Sequence, residues 1–407
     1  MRRAADITLI ALHAIWANKL RSFLTTLGNI VSVGSIIAVV SLIQGVNAEV
    51  TGAIVSQLGS DSFTIERVGL VMSEEDIEAA RSNPRITLDD AEAIERFGTH
   101  LGAIMAQANR NGDVRYRNQV LESVRIKGVT RDYLEFPTFT AEQGRLFTST
   151  EVDRNRPVAV LGWDTADRLF GQIDPLERTI KVQGVHFRVV GVSEPTGSTF
   201  GQSQDEFVII PLGRFRKLFG SRPSLMLMAR PETPDQLERA MDDATAALRI
   251  ERRLRPAEDD DFGLFTSDTV LDIYDQATKG IFAVLIGIVG LSLVVGGIVI
   301  MNIMLMVVSE RTREIGLRKA LGARKRDILW QILAESVTLS VLGGLVGTAA
   351  GFGVALTLSA LTPVPAAVQL WSVVLGVSMT AVVGVGFGLY PASRAAALDP
   401  ISALGRS

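Results

Sequence analysis

Three windows of the chain carry no Asp, Glu, Lys or Arg: residues 22–48, 280–309 and 336–393. Soluble domains rarely hold such runs, whereas about 20 apolar residues are enough to cross the hydrocarbon core of a bilayer. The first window predicts a transmembrane helix over 22–48 behind a basic lead of Arg2, Arg3, Lys19 and Arg21. A cleaved signal peptide fits less well, because the apolar run starts late and has no small-x-small site just after it. The second window, with the breaker-poor residues before it, predicts a stalk and transmembrane helix over 269–308. A helix of that length exceeds a hydrocarbon core of about 30 Å, so it must tilt or project. Thr362-Pro363-Val364-Pro365 divides the third window. Two prolines this close remove amide donors and restrict the residues before them, which ends a helix. The prediction is therefore helices over 336–361 and 368–390, antiparallel neighbours joined by a short loop over 362–367.

Residues 49–268 show a different rhythm, with short apolar alternations set between polar helical stretches. Strands are expected at 62–68, 122–129, 157–161, 179–185, 187–192, 206–211 and 225–229. A hairpin is expected around Gly184. Helices are expected at 89–97 behind Thr87, at 164–169, at 212–219 and at 233–253, and a loop at 198–206. Strands mixed with helices in this order predict an α+β arrangement. The fold class is then a membrane protein of four transmembrane helices, with a large α+β extracytoplasmic domain inserted between helices 1 and 2.

Charge sharpens the division. The whole chain of 407 residues has a net charge of -3, yet residues 46–275 hold 27 Lys/Arg against 38 Asp/Glu, and the remainder holds 14 against 6. The insert is acidic and the rest is basic. Basic residues cluster before the first span, after the last one (Arg394, Arg406) and in the loop between spans 2 and 3, whereas the 362–367 loop has none. The positive-inside rule places both termini and residues 309–335 in the cytoplasm and the insert outside.

Little points to chemistry on the chain itself. Cysteine is absent, and His100 and His186 lie far apart without a second ligand at metal spacing. The acidic runs Glu74–Asp76 and Asp259–Asp261 lack the alternating oxygen ligands of a calcium loop. No G-x-S-x-G, H-E-x-x-H or G-x-x-x-x-G-K-[ST] occurs. The expectation is no catalytic, metal or cofactor site, and no nucleic-acid partner. With no ionisable residue inside the spans, an ion-coupled carrier is disfavoured as well.

The segment 309–331, SERTREIGLRKALGARKRDILWQ, interleaves apolar and basic residues, and Gly322 is placed to end one helix before another begins at Ala323. Two readings stand. One is a basic loop that fixes topology near lipid phosphates; the other is a cytoplasmic bracket that seats in a groove of a soluble partner. Residues 1–21 have helical character and are expected to lie flat on the inner leaflet as an amphipathic helix. The spans are rich in glycine, and Gly343–Gly347 and Gly347–Gly351 each form a G-x-x-x-G step suited to close helix approach.

Asn302 to Ala323, which carries E-R-T-R-E-I-G-L-R-K-A-L-G-A, and Tyr390 to Leu404, which carries Y-P-A-x-x-A-A-x-L-D-P-x-x-A-L, are the most specific stretches. With Glu142-Gln143-Gly144-Arg145, Val158-Ala159-Val160-Leu161-Gly162 and Phe187-Arg188-Val189-Val190-Gly191-Val192 in the insert, the chain resembles the MacB/FtsX-like family of ABC-transporter permeases over nearly its whole length. The resemblance implies a permease subunit working by mechanotransmission, with residues 49–268 as the periplasmic core domain, 309–335 as the coupling region and 391–407 as a cytoplasmic tail. It implies two copies of a separate ABC ATPase subunit using ATP and Mg, since no P-loop precedes the first span here. A second permease chain, identical or related, and membrane lipids complete the implied core. An exporter of the MacB type would add a periplasmic adaptor and an outer-membrane channel and move a drug, peptide or other periplasmic compound. Lipoprotein or lipid extraction, and FtsX-like control of a periplasmic hydrolase, are the alternatives. The resemblance assigns ATPase coupling to Arg313, Ile315, Gly316, Leu317, Arg318, Lys319, Ala320, Leu321 and Gly322. Ile315, Leu317, Ala320 and Leu321 are expected in the ATPase groove. Arg313, Arg318 and Lys319 are expected to orient it through carboxylates, with Gly316 and Gly322 allowing close approach and the turn.

Overall fold

A computed structural model describes residues 19–70, 78, 82–136, 140–220, 222–367 and 369–404. The flat helix expected within 1–21 therefore lies outside the described residues up to position 18, as does the acidic run Glu74–Asp76. The elements run α1 (Lys19–Leu58), β1 (Phe63–Glu66), α2 (Leu88–Phe97), β2 (Leu101–Tyr116), β3 (Gln119–Val129), β4 (Ala141–Gly144), α3 (Ser149–Asp153), β5 (Val158–Leu161) and α4 (Trp163–Phe170). Then come β6 (Thr179–Val182), β7 (Val185–Ser193), β8 (Ser198–Thr199), β9 (Gln202–Ser203), β10 (Phe207–Pro211), α5 (Leu212–Phe219), β11 (Met226–Pro231), α6 (Leu237–Glu251) and β12 (Gly263–Thr266). The chain ends with α7 (Ser267–Glu310), α8 (Thr312–Ala320), α9 (Lys325–Leu361), α10 (Leu370–Ala397) and α11 (Pro400–Leu404). Two compact units result, one of Glu49–Gln276 and one of the residues before and after it.

The outer unit is built on a mixed sheet in the order β12-β1-β11-β2-β3-β10-β5-β7-β4, with β6 pairing both β2 and β7. β10 runs parallel to β3 and β5 parallel to β7; the other pairs are antiparallel. Successive side chains alternate faces along a strand, and both faces are buried here. Val208 and Ile210 join one core with Phe187 and Phe215. Phe207 and Ile209 join another with Tyr133 and Phe147. Helix α2 starts where the sequence places it: Thr87 and Asp90 exchange a capping box, with the Thr87 amide 2.7 Å from the Asp90 carboxylate. The same Asp90 is tied to the end of α6 by Arg252, which forks onto it at 3.0 and 3.1 Å and reaches Asp261 at 2.7 Å.

Several expectations of the alternation needed revision. β2, β4 and β12 were not anticipated, and the 198–206 loop contains the small hairpin β8–β9, ordered by Asp205, which accepts the Gly197 amide at 2.8 Å. The helix expected from residue 233 opens with a 3₁₀ turn at Pro234–Gln236 before α6. The hairpin at Gly184 is present, with Gln183 and Gly184 both at positive φ, 47° and 81°, as a two-residue turn that matches strand twist requires.

In the other unit, α1, α7, α9 and α10 are each long and apolar enough to cross a membrane. They meet through small residues. A methyl group placed on Gly351 would stand 2.5 Å from the Gly34 carbonyl oxygen, and one on Gly347 would stand 2.7 Å from that of Ile30. The two glycines thus bring α9 onto the backbone of α1. Gly384 of α10 gives the same proximity to Ser340 of α9. Polar side chains add bonds between helices: Asn29 donates to the Ser340 carbonyl at 2.7 Å, Ser32 to that of Ser292 at 2.7 Å, and Ser336 to that of Gly384 at 3.0 Å.

Candidate coupling surface

The segment after α7 forms a short helix, α8, turned at Gly322 into α9, and its ends are set by local chemistry. α8 closes in a Schellman arrangement: the Ala323 amide donates to Arg318 O at 3.1 Å and the Gly322 amide to Lys319 O at 3.1 Å. Gly322 sits at φ +99°, a conformation that a side chain would strain. The next helix opens with the Arg324 amide donating to Asp327 Oδ2 at 3.0 Å. Arg311, at the junction of α7 and α8, pairs with Glu335 of α9 at 3.2 Å. The segment is thereby fixed to two long helices.

The nine candidate residues fall into two groups. Leu317 and Leu321 are 52% and 81% exposed, and Arg313 and Ala320 face outward beside them. Arg318 is half-buried and pairs with Glu314 one turn earlier. Ile315 and Gly316 do not share that outer face. Ile315 is 4% exposed, packed in a cluster with Val308, Ile328, Ile332 and Ala392. Gly316 lies under α11, where a methyl group on it would come 2.6 Å from Ala403 Cβ. Lys319 is also turned inward: its ammonium donates to the carbonyl oxygens of Ala396, at 2.8 Å, and Leu398. Ile401 of α11, 83% exposed, is an outward apolar residue that the sequence reading missed. Its signal was the second signature stretch, which ends in the same helix.

Elsewhere the geometry offers little for a reaction. Among the described residues no group of three or more His, Asp or Glu is placed to hold a metal ion. A cleft of about 430 Å³ opens in the outer unit between α2, β2, α3 and α5, with Ile104 and Leu212 among its lining residues.

The family model of the MacB-like periplasmic core domain matches residues 22–247, and that of the FtsX-like permease C-terminal region matches 286–400. The chain belongs to the MacB/FtsX-like permease family. It is 36% identical over 400 residues to the macrolide export ATP-binding/permease protein MacB of Bdellovibrio bacteriovorus, covering 95% of this chain and 60% of that one. The chain thus spans about three fifths of the length of the MacB relatives it matches. It is 31% identical to the uncharacterized ABC transporter permease YknZ of Bacillus subtilis, covering 97% of both chains. Among solved structures, the periplasmic region of MacB from Actinobacillus actinomycetemcomitans aligns at 19% identity and a TM-score of 0.44, over 54% of this chain and 95% of that one. As a permease of this family with four apolar spans, the chain is a multi-pass inner-membrane protein, and its basic loops set the cytoplasmic side.

Proposed function

We propose that the chain is the membrane subunit of an ATP-driven ABC exporter, in which a separate ATPase subunit supplies hydrolysis of ATP with Mg. Two ATPase copies act below two permease chains. The observation that carries this reading is the outward face of α8: Leu317 and Leu321 stand exposed among Arg313, Arg324, Lys325 and Arg326 on a bracket tied to α7 and α9. Exposed apolar side chains in a segment rich in exposed cations suit a groove with an acidic rim. The span windows 22–48, 280–309 and 336–393 hold no charged residue. That suits a device that passes force to the outer domain rather than ions through the bundle, which is the mechanotransmission reading. The Bacillus relative of equal length, named a permease, and the longer relatives, named ATP-binding/permease proteins, support a division of labour between chains. A dimer of identical permease chains, with a periplasmic adaptor and an outer-membrane channel for a drug or peptide, completes the proposal.

The test is affinity purification of the tagged chain from native membranes, comparing wild type with Leu317→Asp. A P-loop ATPase should accompany wild type. Removing an apolar contact of about 1.5–3 kcal/mol should weaken its retention by tenfold or more in the variant, with the permease still in the membrane. Undiminished retention would refute the docking role. Recovery of a cell-wall hydrolase with no adaptor would favour the transducer alternative.

A further inference from the structure

We infer that Lys319 is an internal latch that holds the coupling helix α8 to the end of the fourth span. It is a positioning residue, not a contact to the ATPase. The inference rests on the proposed docking of α8 only for its mechanical meaning; the latch itself is a property of this chain alone.

The last carbonyls of a helix have no partner within it and carry the negative end of its dipole. At the end of α10, Lys319 meets two carbonyls of this region, reaching Ala396 O at 2.8 Å and Leu398 O from the last turn of α8. A cation there is favoured both by charge and by its three donors. The neighbouring contacts have no slack. Ala403 is 2% exposed over the bare backbone of Gly316, and Ala392 and Ala395 at the end of α10 are fully buried. α11 is itself capped, because the Asp399 carboxylate accepts the Ser402 amide at 3.0 Å and hydroxyl at 2.8 Å. Those bonds, hydroxyl first, hold the Asp399 carboxyl below its usual range, with Lys319 adding to the effect.

Besides the packing of Ile315 and Gly316, α8 has attachments of different kinds. It is joined to α7 through the chain at Arg311, to α9 through the Arg311–Glu335 pair, and to α10 through Lys319. Of these, only the Lys319 link runs from a side chain onto backbone across a long sequence gap, its partners 77 and 79 positions onward. A displacement of α8 then reaches the fourth span directly. The two signature stretches, 302–323 and 390–404, meet at this point.

Hydrogen–deuterium exchange of the full chain in lipid nanodiscs tests the latch without any ATPase. In Lys319→Met, the amides of Leu398, Asp399 and Ile401–Ala403 should exchange at least about tenfold faster, the factor expected for losing a hydrogen bond to a charged donor. Lys319→Arg, which keeps charge and donors, should retain the protection. Gly316→Val, which forces α11 outward without touching Lys319, should release the same amides. Unchanged protection in Lys319→Met overturns the inference. So does loss of the co-purifying ATPase in Lys319→Met with protection intact, which would make Lys319 a direct contact. Failure of the Leu317→Asp test would leave the exchange result standing, so the two readings fail separately.

Discussion

In the outer unit the interior is filled by Phe63, Phe187, Phe215, Tyr133 and Phe147, each 1% exposed or less. In the membrane unit close helix approaches rest on Gly347, Gly351 and Gly384, while Leu291 and Val295 point outward, 67% and 61% exposed. The contrast follows from solvent. Water drives large apolar side chains together in the outer unit. Lipid chains are as apolar as leucine, so helices in the bilayer gain most from close backbone approach and a few hydrogen bonds between them. Burial in one unit and fit in the other are therefore different forces, and substitutions should separate them.

The largest effect is expected where burial is complete. Phe187→Ala should destabilise the outer unit by about 3–5 kcal/mol through lost transfer energy and a residual cavity. Leu291→Ala, which removes a larger exposed fraction of a similar side chain from the bundle, should stay within about 0.5 kcal/mol. Denaturant unfolding in nanodiscs, followed by tryptophan fluorescence with Trp163 in the outer unit, reads both. Equal effects would mean that the bundle also relies on large apolar side chains.

The reverse asymmetry comes next. Gly351→Val places methyl groups against the Gly34 carbonyl and should cost about 1–3 kcal/mol by overpacking. Gly353→Val, two residues along α9 and with no atom within 4 Å of the added carbon, is the matched control and should be close to neutral. Thermal stability of the purified chain compares them. If both valines cost the same, helix propensity rather than approach would explain the loss.

How much of this was legible beforehand depends on the same contrast. The spans stood out because lipid tolerates no charge, so windows free of charged residues reveal them whatever they pack against. Leu317 and Leu321 were legible as outward residues from their place among arginines and lysines. The inward turn of Lys319 and the partner of Gly316 were not, because the residues they meet lie in α10 and α11 about 80 residues onward in the chain, and helical periodicity carries no information about a partner so distant. β2 was missed for two reasons. Residues 104–108 are buried on both faces and show no alternation, while Asn109–Asp113 has the Asn, Gly and Asp of a turn. The Gly184 hairpin and the Thr87 cap were found because each is decided within a few residues.

The smallest effect belongs to charge, which the spans lack and the outer unit has in excess. Arg145 forks onto Glu151 at 2.7 and 2.8 Å, and that pairing, with the Thr148 bonds at the start of α3, pulls the Glu151 carboxyl from its usual 4.5 to about 2. A carboxyl with a depressed folded pKa adds stability that is fully present above its unfolded pKa and is lost as pH falls through the folded value. The contribution should thus be complete above pH 4.5 and gone near pH 2. Arg145 is half exposed, so the pair is worth at most about 1 kcal/mol, or roughly 2–4 °C in Tm for a unit of this size. Arg145→Ala should lower the outer unit's Tm by that amount at neutral pH, and the gap to wild type should close between pH 4.5 and about 2. Other carboxylates, Asp243 among them, titrate in both proteins and cancel in the difference. A gap that stayed constant with pH would show that Arg145 acts through packing of its stem rather than through Glu151. A gap that closed while the bundle's melting stayed flat would place the acid sensitivity in the outer unit alone.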